Sequence, residues 1–541
     1  MNLLIYPPFA DPTQSYPALP LLKGYVQSQG FEIGISDFNL LALLDAMEQG
    51  DFREIRGFYN EKRFFDAHAY ARAQQALEAL YRSLSRKSGC WIDNNRHIDP
   101  QGPWSIRKLA RYFKKRKSPF HGFYENRLDA LLDAHTDLVG INLTFTSQLP
   151  EAFYLAQMIR ERWPHIFVVL GGALMGQIVT QVGDDRLRQI LRMADGICCA
   201  DGGPALVALL AALRSHGRPT EPLPNLIFTD RERLVKGTPQ AMDLTTAPVP
   251  DFDGFPLERY LAPSPIVLLH LSHGCYWNRC SFCRYGLNQE QGHPYGEMAI
   301  PTALEQIESL QKKHRVSNIY LSVDVLRPAF ALHLAQALVE RGLHVKWSTD
   351  LRMEDVYSRD QTDLLYQSGL VSVAFGVESA SGRLLQKMSK GISVGAIDRV
   401  NRLFFESGIA TCWMMFHYHP TETLAEAEES VHFVLERRRQ VALFIIGEFG
   451  LTPHSKIFLQ PHRFGIRRIL YHPEDDFGLY PFPEYETLAP SSSLNFTDRL
   501  DRAVAGLAAH FRLRPYPFAG AVSTHHSMLY FIRFGPTAFQ R

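Results

Sequence analysis

From Pro265 to about residue 450 the sequence repeats one pattern six times, a short apolar run followed by a stretch of helical periodicity. The apolar runs are IVLLHLSHG, NIYLSVDVL, HVKWSTDLR, VSVAFGVES, IATCWMMFHYH and VALFIIGEFG; helical stretches such as AFALHLAQALVERG and ETLAEAEESVHFVLERRR separate them. Such alternation predicts parallel strands, because each helix carries the chain back to the start of the next one. The expectation is a partial α/β barrel of TIM type over residues 263–470, with its chemistry at the carboxyl ends of the strands.

A second alternation occupies residues 1–215. NLLIYPPF, FEIGISDFNL, DLVGINLTF, HIFVVLGGA and DGICCADGG read as strands, with helices at LPLLKGYVQSQG and about Pro150 to Arg162. This α/β pattern predicts a doubly wound, Rossmann-like parallel sheet whose ligand loops follow the strands. Residues 44–135, rich in Arg, Lys, Ala and aromatics, read as a helical insertion. Residues 216–262 are proline-rich and read as a hairpin (TDRERLVKG) and a linker. Residues 471–541 read as a small capping segment, with HSMLYFIRFG expected to be a strand.

Composition excludes several classes. The 57 Lys and Arg balance 56 Asp and Glu, so no polyelectrolyte surface asks for nucleic acid. No run approaches the ~18–20 apolar residues of a membrane span. The amino terminus MNLLIYPPF carries no signal-peptide pattern. Seven cysteines in 541 residues make no disulfide framework and point to a reducing cytoplasm.

Three of those seven fall in GCYWNRCSFCRYG, residues 274–286, after the first barrel strand. Cys275, Cys280 and Cys283 suit a metal, and two readings compete. With His273 they would complete a Cys3His zinc site. Alone they would hold an iron–sulfur cluster with one iron open to another ligand. Their place at a barrel strand end, where active sites sit, favours the cluster.

The motif and the strand ends that follow resemble the radical S-adenosylmethionine (radical SAM) enzymes. The resemblance implies a 4Fe–4S cluster on Cys275, Cys280 and Cys283 that binds S-adenosylmethionine and yields a 5′-deoxyadenosyl radical. Four residues, Tyr276 to Arg279, separate the first two cysteines where the commonest spacing is three; such variants occur among cobalamin-dependent members. Phe282 matches the aromatic beside the adenine. By the same resemblance Ser322 and Asp324 lie where the methionine ammonium is received, Arg352 where its carboxylate is met, and Glu378 and Ser379 at the ribose. The fifth strand departs from the family pattern with HYHPTET, residues 417–423. Alternation places His417 and His419 on one face, either side of Tyr418, and if that face is the barrel interior these three are the candidate catalytic residues.

Ser147-x-Leu149 followed by Gly171-Gly172 resembles signatures of cobalamin-binding domains, and PVPDFDGFPLERYLAPSP resembles the junction of cobalamin-type radical enzymes. The Asp-x-His-x-x-Gly motif for an axial histidine is absent after the first strand; Asp66-Ala67-His68 and Asp133-Ala134-His135 are partial matches in or beside the insertion. Together these features imply a cobalamin-dependent C-methyltransferase acting on an unactivated carbon of a peptide or small-molecule natural-product precursor. They also imply an external electron donor such as flavodoxin or ferredoxin. The alternatives are a radical cyclisation, rearrangement or oxidation without methyl transfer, and a non-catalytic zinc or iron–sulfur sensor. Cys90, Cys198, Cys199 and Cys412 read as packing residues. His525 and His526 read as structural, unless the terminal segment closes the barrel mouth.

Overall fold

The computed structural model describes residues 1–50, 52–284, 295–487, 494–512 and 524–541; Tyr285 and Gly286 of the cysteine motif lie outside them. The chain divides into two compact units. One comprises Met1–Asp243, Ala247–Pro265 and Tyr471–Tyr480; the other comprises Leu244–Thr246, Ile266–Leu470 and Pro481–Arg541.

The first unit is built on a sheet of β1 (Leu3–Tyr6), β2 (Gly34–Asp37), β3 (Leu138–Asn142), β4 (Phe167–Gly171), β5 (Gly196–Cys198), β6 (Leu226–Asp230) and β7 (Arg233–Lys236), in the order β2-β1-β3-β4-β5-β6-β7. Pairing is parallel through β5. The β6–β7 hairpin is antiparallel and extends this sheet. Strands β1, β3 and β4 read as near-continuous apolar runs and are buried almost throughout, as central strands of a sheet covered on both faces are.

Between β2 and β3 lie several helices, among them Ala67–Ser88, Ile106–Lys114 and His121–Leu131, and a small hairpin of Trp91–Ile92 with His97–Ile98. The fully buried Glu151, on the Leu149–Arg162 helix, docks this insertion. It accepts hydrogen bonds from the hydroxyls of Tyr112 (2.7 Å), Ser118 (2.6 Å) and Tyr124 (2.9 Å). Burial raises its pKa while those three donors oppose the rise, as expected of a carboxyl taken out of water among neutral partners.

The second unit holds β8 (Ile266–Leu269), β9 (Asn318–Leu321), β10 (Lys346–Leu351), β11 (Leu370–Glu378), β12 (Ala410–His417) and β13 (Leu443–Glu448), all parallel and in sequence order. This is the predicted partial barrel. Register separates its two faces. Trp347, Phe375 and Trp413 face the crossover helices, where Trp413 stacks on Phe433 and donates to Asn401 at 2.9 Å. The opposite face aligns Leu268, Tyr320, Ser348 and Ser372, then Asp350, Ala374 and Cys412.

The expected terminal strand is instead a helix, Thr524–Phe534. Its apolar run is continuous, and a short continuous run does not distinguish strand from buried helix by periodicity. Burial of Met528, Leu529, Tyr530 and Phe531 settles it here as a helix covered on most sides. Among the described residues, no helix is long and apolar enough to cross a membrane.

Candidate functional site

After β8 the chain turns at Gly274, whose positive φ of 72° suits glycine, and the Gly274 amide donates to Asp324 Oδ2 at 2.9 Å. The cysteine loop that follows is gripped from several sides. Trp277 Nε1 donates to the Ser389 carbonyl at 2.9 Å, and Ser281 binds the carbonyls of Met388 (2.8 Å) and Lys387 (3.1 Å). The Ile457 amide donates to the Ser281 carbonyl at 2.9 Å, and Tyr276 donates to Glu354 at 2.9 Å.

None of the three cysteines of the loop is in a disulfide; Cys280 is buried and Cys275 and Cys283 are half-buried. Burial pushes the Cys280 thiol up; Lys390 and Arg352 pull it down, and Glu378 and Cys275 oppose them. Three thiols on one loop, none in a disulfide, with two cations in electrostatic reach of Cys280 fit a group that binds thiolates.

Around the loop the strand ends present charge. Arg352, nearly buried, lies 4.3 Å over the Trp277 ring, gives Nε to Glu354 at 2.8 Å and donates to the Lys390 carbonyl. Glu378 ends β11 at a positive φ of 65° and pairs with Lys390 at 2.6 Å. A Cβ at Gly376 would press on both partners of that pair, at 2.7 Å each, so glycine makes room for it. Phe282 packs edge-on to Phe416 at 5.1 Å, with Lys390 6.0 Å from its ring centre. Asp324 is exposed. The predicted residues Cys275, Cys280, Cys283, Phe282, Asp324, Arg352 and Glu378 therefore surround one loop. Tyr276, Trp277, Glu354 and Lys390 join them without having been singled out in sequence; the aromatic pair between the cysteines was the available signal.

Other candidates sit elsewhere. Ser379 is fully buried and its hydroxyl is committed to Ser430 (3.2 Å) and the Ser381 amide (3.1 Å). Ser322 uses its backbone, its carbonyl lying 2.9 Å from His270 Nδ1.

The expectation for the fifth strand is corrected. Phe416 faces Phe282, so His417 shares the helix-facing side with Trp413 and Met415, where its Nδ1 lies 3.5 Å from Glu422 Oε1. Alternation then stops, because β12 ends at His417 and Tyr418 has a φ of 67°. His419 is buried against Phe449 and Phe464, and burial holds its pKa down at about 4. Tyr418 packs on Phe496. His417 and His419 thus do not share the barrel interior.

In the first unit, Ser147 is buried and donates to the Phe9 carbonyl at 2.7 Å, and the buried Leu149 opens its helix. Gly172 has a φ of 96°, and a Cβ there would collide with the Leu143 carbonyl. The fold therefore accounts for these residues by itself. Asp66 caps the Ala67–Ser88 helix, His68 is exposed, and Asp133 accepts from Thr136, which leaves neither partial motif as a ligand pair. The rim beyond β3, β4 and β5 is nevertheless open and small: Gly171, Gly172, Ala173, Ala200 and Gly202 keep exposure beside Phe145, which is 41% exposed. A large ligand lying on backbone fits such a rim at the carboxyl edge of a parallel sheet.

The model of the radical SAM superfamily matches residues 269–434. The chain is 23% identical over 404 residues to an uncharacterized methyltransferase of Pyrococcus horikoshii, covering 73% of this chain and 82% of that protein. In fold it is similar to the radical S-adenosylmethionine methyltransferase TsrM of Kitasatospora setae, solved with tryptophan substrate and a SAM analog (TM-score 0.61, 16% identity, 97% of this chain and 94% of that one). It is also similar to the cobalamin-dependent S-adenosylmethionine radical enzyme OxsB with aqua-cobalamin (TM-score 0.54, 14% identity, 86% of this chain), of which it spans only 56%. Residues 269–434 thus form a radical SAM domain, the whole chain has a fold similar to those of TsrM and OxsB, and the protein is an enzyme.

Proposed function

We propose that this enzyme is a cobalamin-dependent radical SAM methyltransferase that acts on an unactivated carbon of a peptide or small-molecule natural-product precursor. The observation that carries the reading is the loop of three cysteines, none in a disulfide, beside Arg352 and Lys390, at the mouth of a barrel preceded in sequence by a doubly wound sheet. When bound, a 4Fe–4S cluster with S-adenosylmethionine supplies a carbon-centred radical, and cobalamin supplies a methyl carrier. Cys275, Cys280 and Cys283 would hold the cluster.

The other residues bind and orient. Asp324 offers a carboxylate suited to an ammonium, and Arg352 a guanidinium suited to a carboxylate. Lys390 holds Glu378 in place by a 2.6 Å contact. Phe282 supplies an apolar wall for an adenine. The rim from Phe145 to Gly202 would take the cobalamin, with no histidine of this chain in the axial-ligand pattern. An external flavodoxin or ferredoxin in the cytoplasm would supply electrons.

Anaerobic protein, reconstituted with iron, sulfide and cobalamin, is expected to form 5′-deoxyadenosine from S-adenosylmethionine and to keep cobalamin through gel filtration. The variant with all three loop cysteines changed to Ala is expected to form none. Absence of deoxyadenosine from wild-type protein with an assembled cluster and a strong reductant overturns the reading in favour of a sensor. Turnover without retained cobalamin overturns the methyltransferase part alone.

A further inference from the structure

Barrel interiors are ordinarily filled by layers of branched apolar side chains. The face of this barrel opposite the crossover helices departs from that rule. Ser348 and Ser372 hydrogen-bond across it at 2.7 Å, and Ala374, Gly376 and Ala410 leave further room. In the middle of this small-residue surface, Tyr320 of β9 donates its hydroxyl to Asp350 Oδ2 of β10 at 3.0 Å. The terminal helix Thr524–Phe534 lays His525 edge-on against the Tyr320 ring, with centroids 4.8 Å apart and planes 67° apart.

Two deficits meet here. Asp350 is half-buried, and among the described residues no lysine or arginine pairs with it. Burial, and then the charge of Asp324, push its pKa up to about 7 against the Tyr320 hydrogen bond. His525 has both ring nitrogens shielded from solvent and without a hydrogen-bond partner among the described residues. Burial holds its pKa down at about 3, so the ring is neutral and offers one donor and one acceptor. The titratable groups acting on Asp350 are Tyr320 and Asp324, and the buried thiol of Cys412 on β12 lies within the field of Asp350 in turn; His525, with His526 beside it, meets the Tyr320 ring. A carboxylate without a cation, a neutral imidazole acceptor and a phenol ring share one complement. A protonated amine supplies charge for the first, N–H for the second and a cation for the face of the third.

We infer that Asp350, Tyr320 and His525 form a substrate subsite on the inner face of the barrel that takes a protonated amine of the substrate. The inference deepens the proposed function by naming a substrate class and rests on that reading for the identity of the reaction. Asp350 is the anionic anchor, Tyr320 fixes its orientation, and the terminal helix brings His525 as a specificity element.

The test is equilibrium binding to the full chain, by calorimetry or saturation-transfer NMR, of benzylamine against its neutral counterpart benzyl alcohol. Wild-type protein is expected to prefer benzylamine by about tenfold or more, and more strongly at pH 8 than at pH 6 as Asp350 ionises. Asp350→Asn is expected to abolish the preference, and His525→Ala to reduce it several-fold in a protein whose barrel is untouched. Equal affinity for the two probes, no binding of either, or a preference unchanged in both variants overturns the subsite. Neither probe needs the cluster. Protein that selects benzylamine through Asp350 yet makes no deoxyadenosine sustains the subsite and sinks the radical reading, while deoxyadenosine formation without amine preference does the reverse.

Discussion

Asp37 ends β2 with its side chain fully buried, one oxygen accepting the Leu40 amide at 2.9 Å and the other the Tyr260 hydroxyl at 2.6 Å. Burial raises its pKa to about 6, against the pull of those hydrogen bonds. A carboxyl raised in the folded state binds its proton more tightly there than in the unfolded chain. Its contribution to stability is therefore complete below the unfolded pKa near 4 and is lost as pH rises through about 6. The change is at most about 3 kcal/mol at ~1.4 kcal/mol per pKa unit. Asp37→Asn keeps an N-cap acceptor for Leu40 and can donate to the Tyr260 oxygen. Urea denaturation is expected to show the wild type losing stability relative to the variant between pH 4 and pH 7, and parallel profiles would refute the assignment. At this scale the sequence told less than it told of the cysteines. Three thiols within nine residues speak for themselves. Lys390 and Glu354 matter only because folding places them beside a loop more than 70 residues earlier.

The element that most tightly constrains the cysteine loop is the turn at Ser389 to Gly391. Gly391 has a φ of 72°, and the Trp277 ring occupies the space a Cβ would need. Gly391→Ala must push Trp277 away, and with it the indole hydrogen bond to Ser389 and the face on which Arg352 lies. Gly342 provides the control. It closes the Pro328–Arg341 helix at a φ of 68° with nothing near its missing Cβ, so alanine there meets the same backbone strain without a collision. Both variants are expected to lose roughly 1–3 kcal/mol from the left-handed backbone. Only Gly391→Ala is expected to fall substantially in iron and sulfide bound per chain after reconstitution. Equal loading would show that the tryptophan does not set the loop. Strand and helix alternation made the barrel legible, since period and length agree through six repeats. The end of β12 was illegible for a definite reason: extrapolating period two beyond His417 assumes an extended Tyr418, whose actual left-handed backbone turns the chain. The terminal helix was missed because a short apolar run is compatible with either element until its neighbours are known.

At the scale of the whole molecule, the chain's order and its folding units do not coincide. After leaving the first unit at Pro265 the chain returns to it for ten residues, Tyr471–Tyr480, and leaves again. That return is anchored by chemistry a surface loop would not need. Glu474 pairs with the nearly buried Lys108 at 2.7 Å, while Asp476 accepts the Ile106 amide at 2.9 Å and pairs with Arg186 at 2.8 Å. Phe477, fully buried, packs 5.9 Å from the equally buried Phe153 on the helix that carries Glu151. A fragment ending at residue 265 would uncover the Phe153 ring where Phe477 packs and take from Lys108 its shortest ion pair, leaving Asp99 at 3.5 Å, so the first unit depends on a segment more than 200 residues downstream. Phe477→Ala is expected to cost about 3–5 kcal/mol, the usual range for emptying a buried phenylalanine site. Hydrogen exchange can say where that cost falls. Amides of β3, β4 and the Leu149–Arg162 helix should exchange faster in the variant, while those of β9 to β12, which Phe477 does not touch, should keep wild-type rates. Acceleration spread equally over both sheets would mean that the two units unfold as one, and no acceleration in β3 or β4 would mean that the returning segment is not part of the first unit's core.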